Sequence, residues 1–341
     1  MLLPLTVLAT CSFVKEMTPA TQLYVGGLLA AALGGIALLA VRGRVDRLPA
    51  RLGLMAAGVL IFELFTAPMW LSERLGHYAY VYHDVSWVML LFWSVALLGL
   101  GRLVERRWPG LRALRSFLLT LALFTPLAIL EEMAAVRLGI RSYAPELLAA
   151  VSGRQWAGVP IEILYYVPVF GALVLSFYRL WALLLDDAAL IPVKRRRWLR
   201  SIGIAAVGVL LFEVMVEPMV RNLGFPAWSV FFHDINVILI ACWVLVLGLA
   251  AVLVQHALPE APIPVRFFAG MLVVTALVLP LEAWLIKHGY RVYGETAVGE
   301  FTGYKLALWD APLEVAVAIP FYAALVIAFV RYWETVMDNE L

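Results

Sequence analysis

Nine stretches of about twenty mainly apolar residues recur along this chain, at 22–42, 52–72, 85–104, 116–136, 159–181, 201–220, 235–254, 267–286 and 312–332. A helix crossing ~30 Å of hydrocarbon needs that length, and in lipid the backbone must satisfy its polar groups internally. The sequence therefore predicts an all-α integral membrane protein with about nine transmembrane helices. Composition agrees: of 341 residues, 64% belong to the AVILMFWYC set and only 15% are Asp, Glu, Lys or Arg, against ~25% charged in soluble domains. The first fourteen residues are apolar but short and lack the basic start and small-residue cleavage site of a secretory signal. They read as an interfacial or partly inserted segment.

The net charge of +2, scattered among apolar spans, gives no basic face for nucleic acid. Cys11 and Cys242 lie singly in apolar stretches, so neither a disulfide framework nor a CxxC metal site is available. Of the 26 Lys and Arg residues, 17 fall on one set of alternate connections, among them Arg42, Arg51, Arg102, Arg115, Arg200 and Arg331. That side is expected to be cytoplasmic, which puts the N-terminus outside and the C-terminus inside, in the plasma membrane. The basic run from Lys194 to Arg197 in a short loop sets topology and also suits anionic headgroups, making membrane lipid an expected partner.

An internal repeat organises the rest. Gly58-Val59-Leu60-Ile61-Phe62-Glu63 with Pro68-Met69 returns as Gly208-Val209-Leu210-Leu211-Phe212-Glu213 with Pro218-Met219, an offset of 150. The same offset pairs His83-Asp84 with His233-Asp234, Trp93 with Trp243, Glu132 with Glu282, and Gly139, Arg141 and Tyr143 with Gly289, Arg291 and Tyr293. Two further residues shift the last block, so that Pro160, Glu162 and Pro168 match Pro312, Glu314 and Pro320. The expected organisation is an N-terminal segment with one extra span (1–49) and two four-helix units (50–185 and 195–336). With four spans each, both copies enter the bilayer in the same sense, a tandem parallel repeat.

Intramembrane acids are costly, ~2.5–3.5 kcal/mol each on insertion scales, and are candidates for function by default. Here they come in pairs in the outer half of the spans: Glu63 and Glu213, Asp84 and Asp234, Glu132 and Glu282, Glu162 and Glu314. They are the candidate catalytic residues, with His83 and His233, and are expected to converge on one outer chamber or two related ones. Glu131, matched by Leu281, is expected to point elsewhere. The competing reading pairs these acids with Arg137, Arg141, Arg221, Lys287 and Arg291 on the same side, and for Glu162 and Glu314 a helix N-terminus suffices. The His-Asp steps suit a divalent metal or helix capping by Asp84 and Asp234. No organic cofactor is expected, since Gly-rich phosphate loops and nucleophile elbows are missing from the sequence.

Aromatics beside the acids, Trp93, Trp243, Tyr143 and Tyr293, are candidate substrate contacts able to stabilise a cation. Glu217, where the first repeat has Ala67, joins them. Glu213, Glu217 and Arg221 at i, i+4 and i+8 are expected on one helical face, with Arg221 holding Glu217 as the anion, Glu213 as proton donor and Glu63 as base or cation stabiliser.

The third and fourth spans resemble a known family. Phe117-Leu118-Leu119-Thr120 leading to Glu132, then Arg137-Leu138-Gly139-Ile140, then the run from Ala157 through Pro160-Ile161-Glu162 to Tyr166, is similar to the integral-membrane lycopene cyclases of the heterodimeric or fused type. In the second copy, Leu281-Glu282-Ala283-Trp284 and Ala311-Pro312-Leu313-Glu314 fit equally. The resemblance implies an acid-initiated, redox-neutral cyclisation or isomerisation of a long apolar isoprenoid, with Glu162 and Glu314 as essential acids. The second Glu of the family's Pro-x-Glu-Glu step is Ile163 here and Val315 in the second copy. A proton-coupled or cation transporter, with Pro68 and Pro218 as mid-span hinges, and a structural membrane protein are the rival readings.

Overall fold

A computed structural model describes residues 14–42, 45–186, 197–299, 303–307 and 311–339. Cys11 with the rest of 1–13, Arg44, Asp187 and the basic residues Lys194 to Arg196 lie outside the described residues. The protein is an all-α integral membrane protein, 73% helical. After α1 (Pro19–Val41) the first copy runs α2 (Leu48–Thr66), β1 (Trp70–Ser72), β2 (Tyr80–Tyr82), β3 (Val85–Ser86), α3 (Trp87–Arg107), α4 (Ala113–Arg137), β4 (Arg141–Tyr143), α5 (Pro145–Ala150), β5 (Gln155–Trp156), β6 (Val159–Pro160) and α6 (Ile163–Leu185). The second repeats that order: α7 (Trp198–Val216), β7 (Val220–Asn222), β8 (Val230–Phe232), β9 (Ile235–Asn236), α8 (Val237–Ala257), α9 (Ile263–Lys287), β10 (Arg291–Tyr293), α10 (Glu295–Gly299), β11 (Lys305–Leu306), β12 (Ala311–Pro312) and α11 (Leu313–Asp338). Among the described residues nine helices, all but α5 and α10, are long and apolar enough to span a membrane.

The centre is a four-helix contact across the repeats. Helices α6 and α11 pack on each other, α2 on α6 and α7 on α11, and α2 and α7 each also touch the central helix of the other copy. Helices α3 with α4, and α8 with α9, form the flanks, and α1 packs on α3. Inside a bilayer, lipid tails are as apolar as leucine, so close packing and not the hydrophobic effect holds helices together. Gly58 and Gly208, a repeat pair, show this: a Cβ there would come within 3.1 Å of Phe177 Cδ1 and 3.0 Å of Phe329 Cδ1, which are themselves repeat mates.

Short antiparallel strand pairs cap one end of the bundle, a feature the apolar pattern did not signal. β1 pairs β4 with Trp70 opposite Tyr143, and β7 pairs β10 with Val220 opposite Tyr293. β2–β3 and β8–β9 are hairpins. These ladders satisfy backbone groups where the helices stop, and they move three expectations. Pro68 and Pro218 do not hinge a continuous span; each lies in a 3-10 turn, Ala67–Met69 and Glu217–Met219, that ends the helix, because proline cannot donate to the preceding turn. Arg221 consequently sits on β7 and not on the helical face of Glu213; it pairs with Asp234 at 3.7 Å, not with Glu217. Asp84 and Asp234 do not cap helices. Ser86 caps α3 through Val88 N–H, and Asn236 caps α8 through Ile238 N–H at 2.8 Å, while each His-Asp step occupies a hairpin tip with the histidine at φ 44°.

Candidate functional site

Each copy builds the same wall next to its strand ladder. Tyr143 donates its hydroxyl to Glu132 Oε1 at 2.7 Å, and Tyr293 donates to Glu282 Oε1 at 2.7 Å. The arginine completes it: Arg141 Nε lies 3.5 Å from Glu132 Oε2, and Arg291 Nε donates to Glu282 Oε1 at 2.9 Å. Both arginines are buried, and their carboxylates keep them charged against the burial that disfavours charge. Burial and the adjacent carboxylate push the Tyr143 and Tyr293 hydroxyls well above their ordinary range.

The two walls face very different spaces. Beside the first copy lies a cavity of about 60 Å³, lined by Glu63, Glu132, Arg141, Trp93, Trp70 and Tyr166 among others. Beside the second lies a chamber of about 570 Å³, lined by Glu213, Glu282, Arg291, Tyr293 and Trp243, with Glu314 at the start of α11 and a largely apolar remainder. Repeat mates explain the contrast. Trp70 and Tyr166, which line the small cavity, correspond to Val220 and Ala318, which line the large one. Trp70 also covers its arginine, whose Cζ lies 5.1 Å from the indole centroid. With valine in that place, Arg291 turns instead to Asn222 Oδ1, donating at 2.7 Å. Phe124, matched by Val274, packs its ring edge on Trp93 at 5.5 Å and thickens the filled side.

Within the chamber, Glu213 is 4% exposed, with the Trp243 side chain beside it. Among the described residues no arginine, lysine or histidine forms an ion pair with it. Tyr322 is wedged between Phe212 and Trp243, with centroids 4.0 and 4.2 Å away. The opening lies among Val81, Tyr82, Leu313 and Val317, all lining residues and between 39% and 57% exposed. Val81 and Tyr82 belong to the first copy's β2–β3 hairpin and Leu60 and Leu64 to its α2, so the chamber of one repeat is walled in part by the other.

The paired acids thus do not share one interior. Glu63 and Glu132 line the small cavity and Glu213, Glu282 and Glu314 the large one, so Glu63 is not positioned to act on a molecule held at Glu213. Glu162, at the start of α6, accepts the Ser152 N–H at 2.8 Å, and this outweighs burial to hold its carboxyl below the ordinary range. Asp84, 5% exposed, accepts the Ser72 N–H at 2.9 Å; burial lifts its carboxyl to about 7. His83 and His233 are exposed at their hairpin tips and line neither cavity. His233 Nδ1 stands 3.9 Å from Glu217 Oε1, and Glu217 is buried there and does not line the chamber. Glu131 lines neither cavity: it is 8% exposed and takes the hydroxyl of Tyr24 on α1, outside the repeat. Among the described residues no group of three or more His, Cys, Asp or Glu is arranged to hold a metal ion. At the opposite helix ends a cavity of about 80 Å³, lined by Ser201, Arg331 and Glu334, shares no lining residue with the chamber.

Sequence reasoning found the acids, the arginines and the tryptophans but missed Tyr322, Trp70 and Tyr166. The signal that could have found them is the mismatch between repeat mates, Phe170 against Tyr322, Trp70 against Val220 and Tyr166 against Ala318. Comparison with known proteins finds no family model, no curated protein and no solved structure that matches this chain.

Proposed function

We propose that this protein is a membrane-embedded enzyme that carries out an acid-initiated, redox-neutral cyclisation or isomerisation of an isoprenoid in the chamber of the second repeat. The observation that carries the reading is an apolar space of about 570 Å³ with the Glu213 carboxyl set deep in its wall, Glu314 at its mouth, and the neighbouring carboxyl, Glu282, committed to Arg291 and Tyr293. Ligand sites run to ~300–1,000 Å³, mostly apolar with a few placed polar groups, so the chamber suits one end of a long chain. Glu213 gives a proton to an alkene carbon; the π electrons form the new C–H bond and leave a carbocation on the neighbouring carbon. The rings of Phe212, Trp243 and Tyr322 shelter that cation. A second double bond closes a ring, or the chain rearranges, and loss of a proton to a carboxylate restores an alkene. Glu314, at the mouth, is the carboxylate for that step. No electrons are gained or lost, so no redox cofactor is required.

The resemblance of the third and fourth spans to the membrane lycopene cyclases supports the same chemistry. With the basic loops cytoplasmic, the chamber opens toward the outer leaflet, and the exposure of Leu313 and Val317 at its mouth suits a solute arriving from the lipid.

The test is to express the full chain in cells that make acyclic isoprenoids and to compare lipid extracts by chromatography and mass. The expected product has the mass of its precursor, one double bond fewer if a ring has formed, and disappears with Glu213→Gln. Full conversion by folded Glu213→Gln would overturn the assignment.

A further inference from the structure

Tyr322 carries a feature that the apolar chamber does not explain. Its side chain is 2% exposed and lines the chamber, and its hydroxyl has no hydrogen-bond partner among the described residues. Phe212 and Trp243 pack against the ring, with centroids 4.0 and 4.2 Å away, and neither presents an acceptor to its hydroxyl. A buried hydroxyl without a partner is destabilising, and the fold has an alternative that avoids it: in the first copy the mate of Tyr322 is Phe170, packed on Phe62 at 4.6 Å in the same manner. At this position the hydroxyl occurs only in the copy whose chamber is open; the buried Tyr166 hydroxyl of the first copy, also without a partner among the described residues, lines a cavity of about 60 Å³, too small for a ligand of this size.

We infer that the chamber's ligand is an apolar chain bearing one hydrogen-bonding oxygen, a hydroxyl or a carbonyl, which sits on the Tyr322 hydroxyl beside Glu213. This rests on the chamber being the binding site for an isoprenoid and narrows that class from pure hydrocarbons to oxygenated ones. Tyr322 can donate to either kind of oxygen and can accept from a hydroxyl. A site built to hydrogen-bond a substrate group rejects the analogue lacking it far more strongly than an apolar pocket rejects an extra methylene. Tyr322 is then the residue that selects the oxygenated chain, while the aromatic and aliphatic walls accept any chain of suitable width.

Farnesol and the hydrocarbon farnesene are matched probes of chain length and shape, differing chiefly in the hydroxyl. Their affinities for the detergent-solubilised full chain are measured by titration calorimetry, on the wild type, Tyr322→Phe and Val220→Trp. The wild type is expected to prefer farnesol by roughly tenfold or more. Tyr322→Phe, a residue the same fold already accepts at 170, is expected to bind farnesene as before and to lose the preference. Equal affinities in the wild type, or a preference that survives in Tyr322→Phe, would overturn the assignment of an oxygen to Tyr322 while leaving the chamber as a binding site. Absence of binding by both probes, with Val220→Trp indistinguishable from wild type, would overturn the chamber reading and this inference with it.

Discussion

Exchanging repeat mates should close the chamber without harming the fold. In Ala318→Tyr with Val220→Trp, the second copy receives the two rings that fill the first. The first copy, which has those rings, holds a cavity of about 60 Å³, and the second, which lacks them, one of about 570 Å³. The first volume lies well under the ~300 Å³ at which ligand sites begin, the second well within the range. Enlarging two side chains in a packed core usually costs ~1–3 kcal/mol each, because neighbours must leave their rotamers. Here the rings enter open space and gain contacts, so the unfolding free energy is expected to stay within ~1 kcal/mol of wild type or to rise. Affinity for farnesol is expected to fall at least about hundredfold, equivalent to ~2.7 kcal/mol. Titration calorimetry and thermal unfolding of the same detergent preparation read both quantities. Retained affinity would show that ligands bind elsewhere, and a destabilisation above ~3 kcal/mol would show that the space is not open in the folded protein; either result refutes the reasoning.

Other outcomes follow from the same geometry. Glu282→Gln leaves Arg291, 6% exposed, without its ion-pair partner, and breaking a buried pair costs ~3–5 kcal/mol. Glu132→Gln should cost less, because that pair is looser, at 3.5 Å against 2.9 Å, and Arg141 keeps the face of Trp70; thermal unfolding of the two variants side by side checks the order. Asp84 carries a proton in the folded protein up to about pH 7, whereas an unfolded Asp releases it near ~3.9. Stability should therefore decline as pH rises from about 4 to about 7, and Asp84→Asn, which still accepts the Ser72 N–H, should flatten that decline in unfolding curves. Gly208→Val would force Phe329 aside, and unfolding should show a loss of ~1–3 kcal/mol. Finally, with both native cysteines replaced, Arg154→Cys and Tyr304→Cys should react with an impermeant thiol reagent on intact cells. Labelling seen only after lysis would reverse the orientation taken from the basic residues.

The spans were legible because the bilayer imposes a length on apolar runs, and each of the nine stretches corresponds to a long helix. The acid positions were legible because charge in lipid is too costly to persist twice at one offset without a partner or a use. The strands were not. Runs such as Trp70–Ser72 and Arg141–Tyr143 are three residues long, too short for a period of two to stand out, and they pair across some seventy positions. The helical-face argument for Glu213, Glu217 and Arg221 failed for a local reason: it carried the helix through Pro218, where the chain turns. The partner of Glu131, Tyr24, comes from α1 outside the repeat, so comparing the copies held no information about it. The difference between a filled and an open chamber was written in Trp70, Tyr166 and their small mates, but their meaning depends on a wall shared between distant segments.

That shared wall bears on how such a chain could have arisen. Leu60, Leu64, Val81 and Tyr82 from the first half complete a site whose acids come from the second. A half-length ancestor of this design would have owned no finished site by itself, since the flank of each site belonged to a second subunit. Two identical subunits related by an axis along the membrane normal would have made two equal chambers. Joining them into one polypeptide releases the halves from identity: one can fill with aromatic rings and serve as scaffold while the other keeps its space and acquires a hydroxyl. Separately expressed halves, 14–186 and 197–339, should then recover a chamber only when mixed.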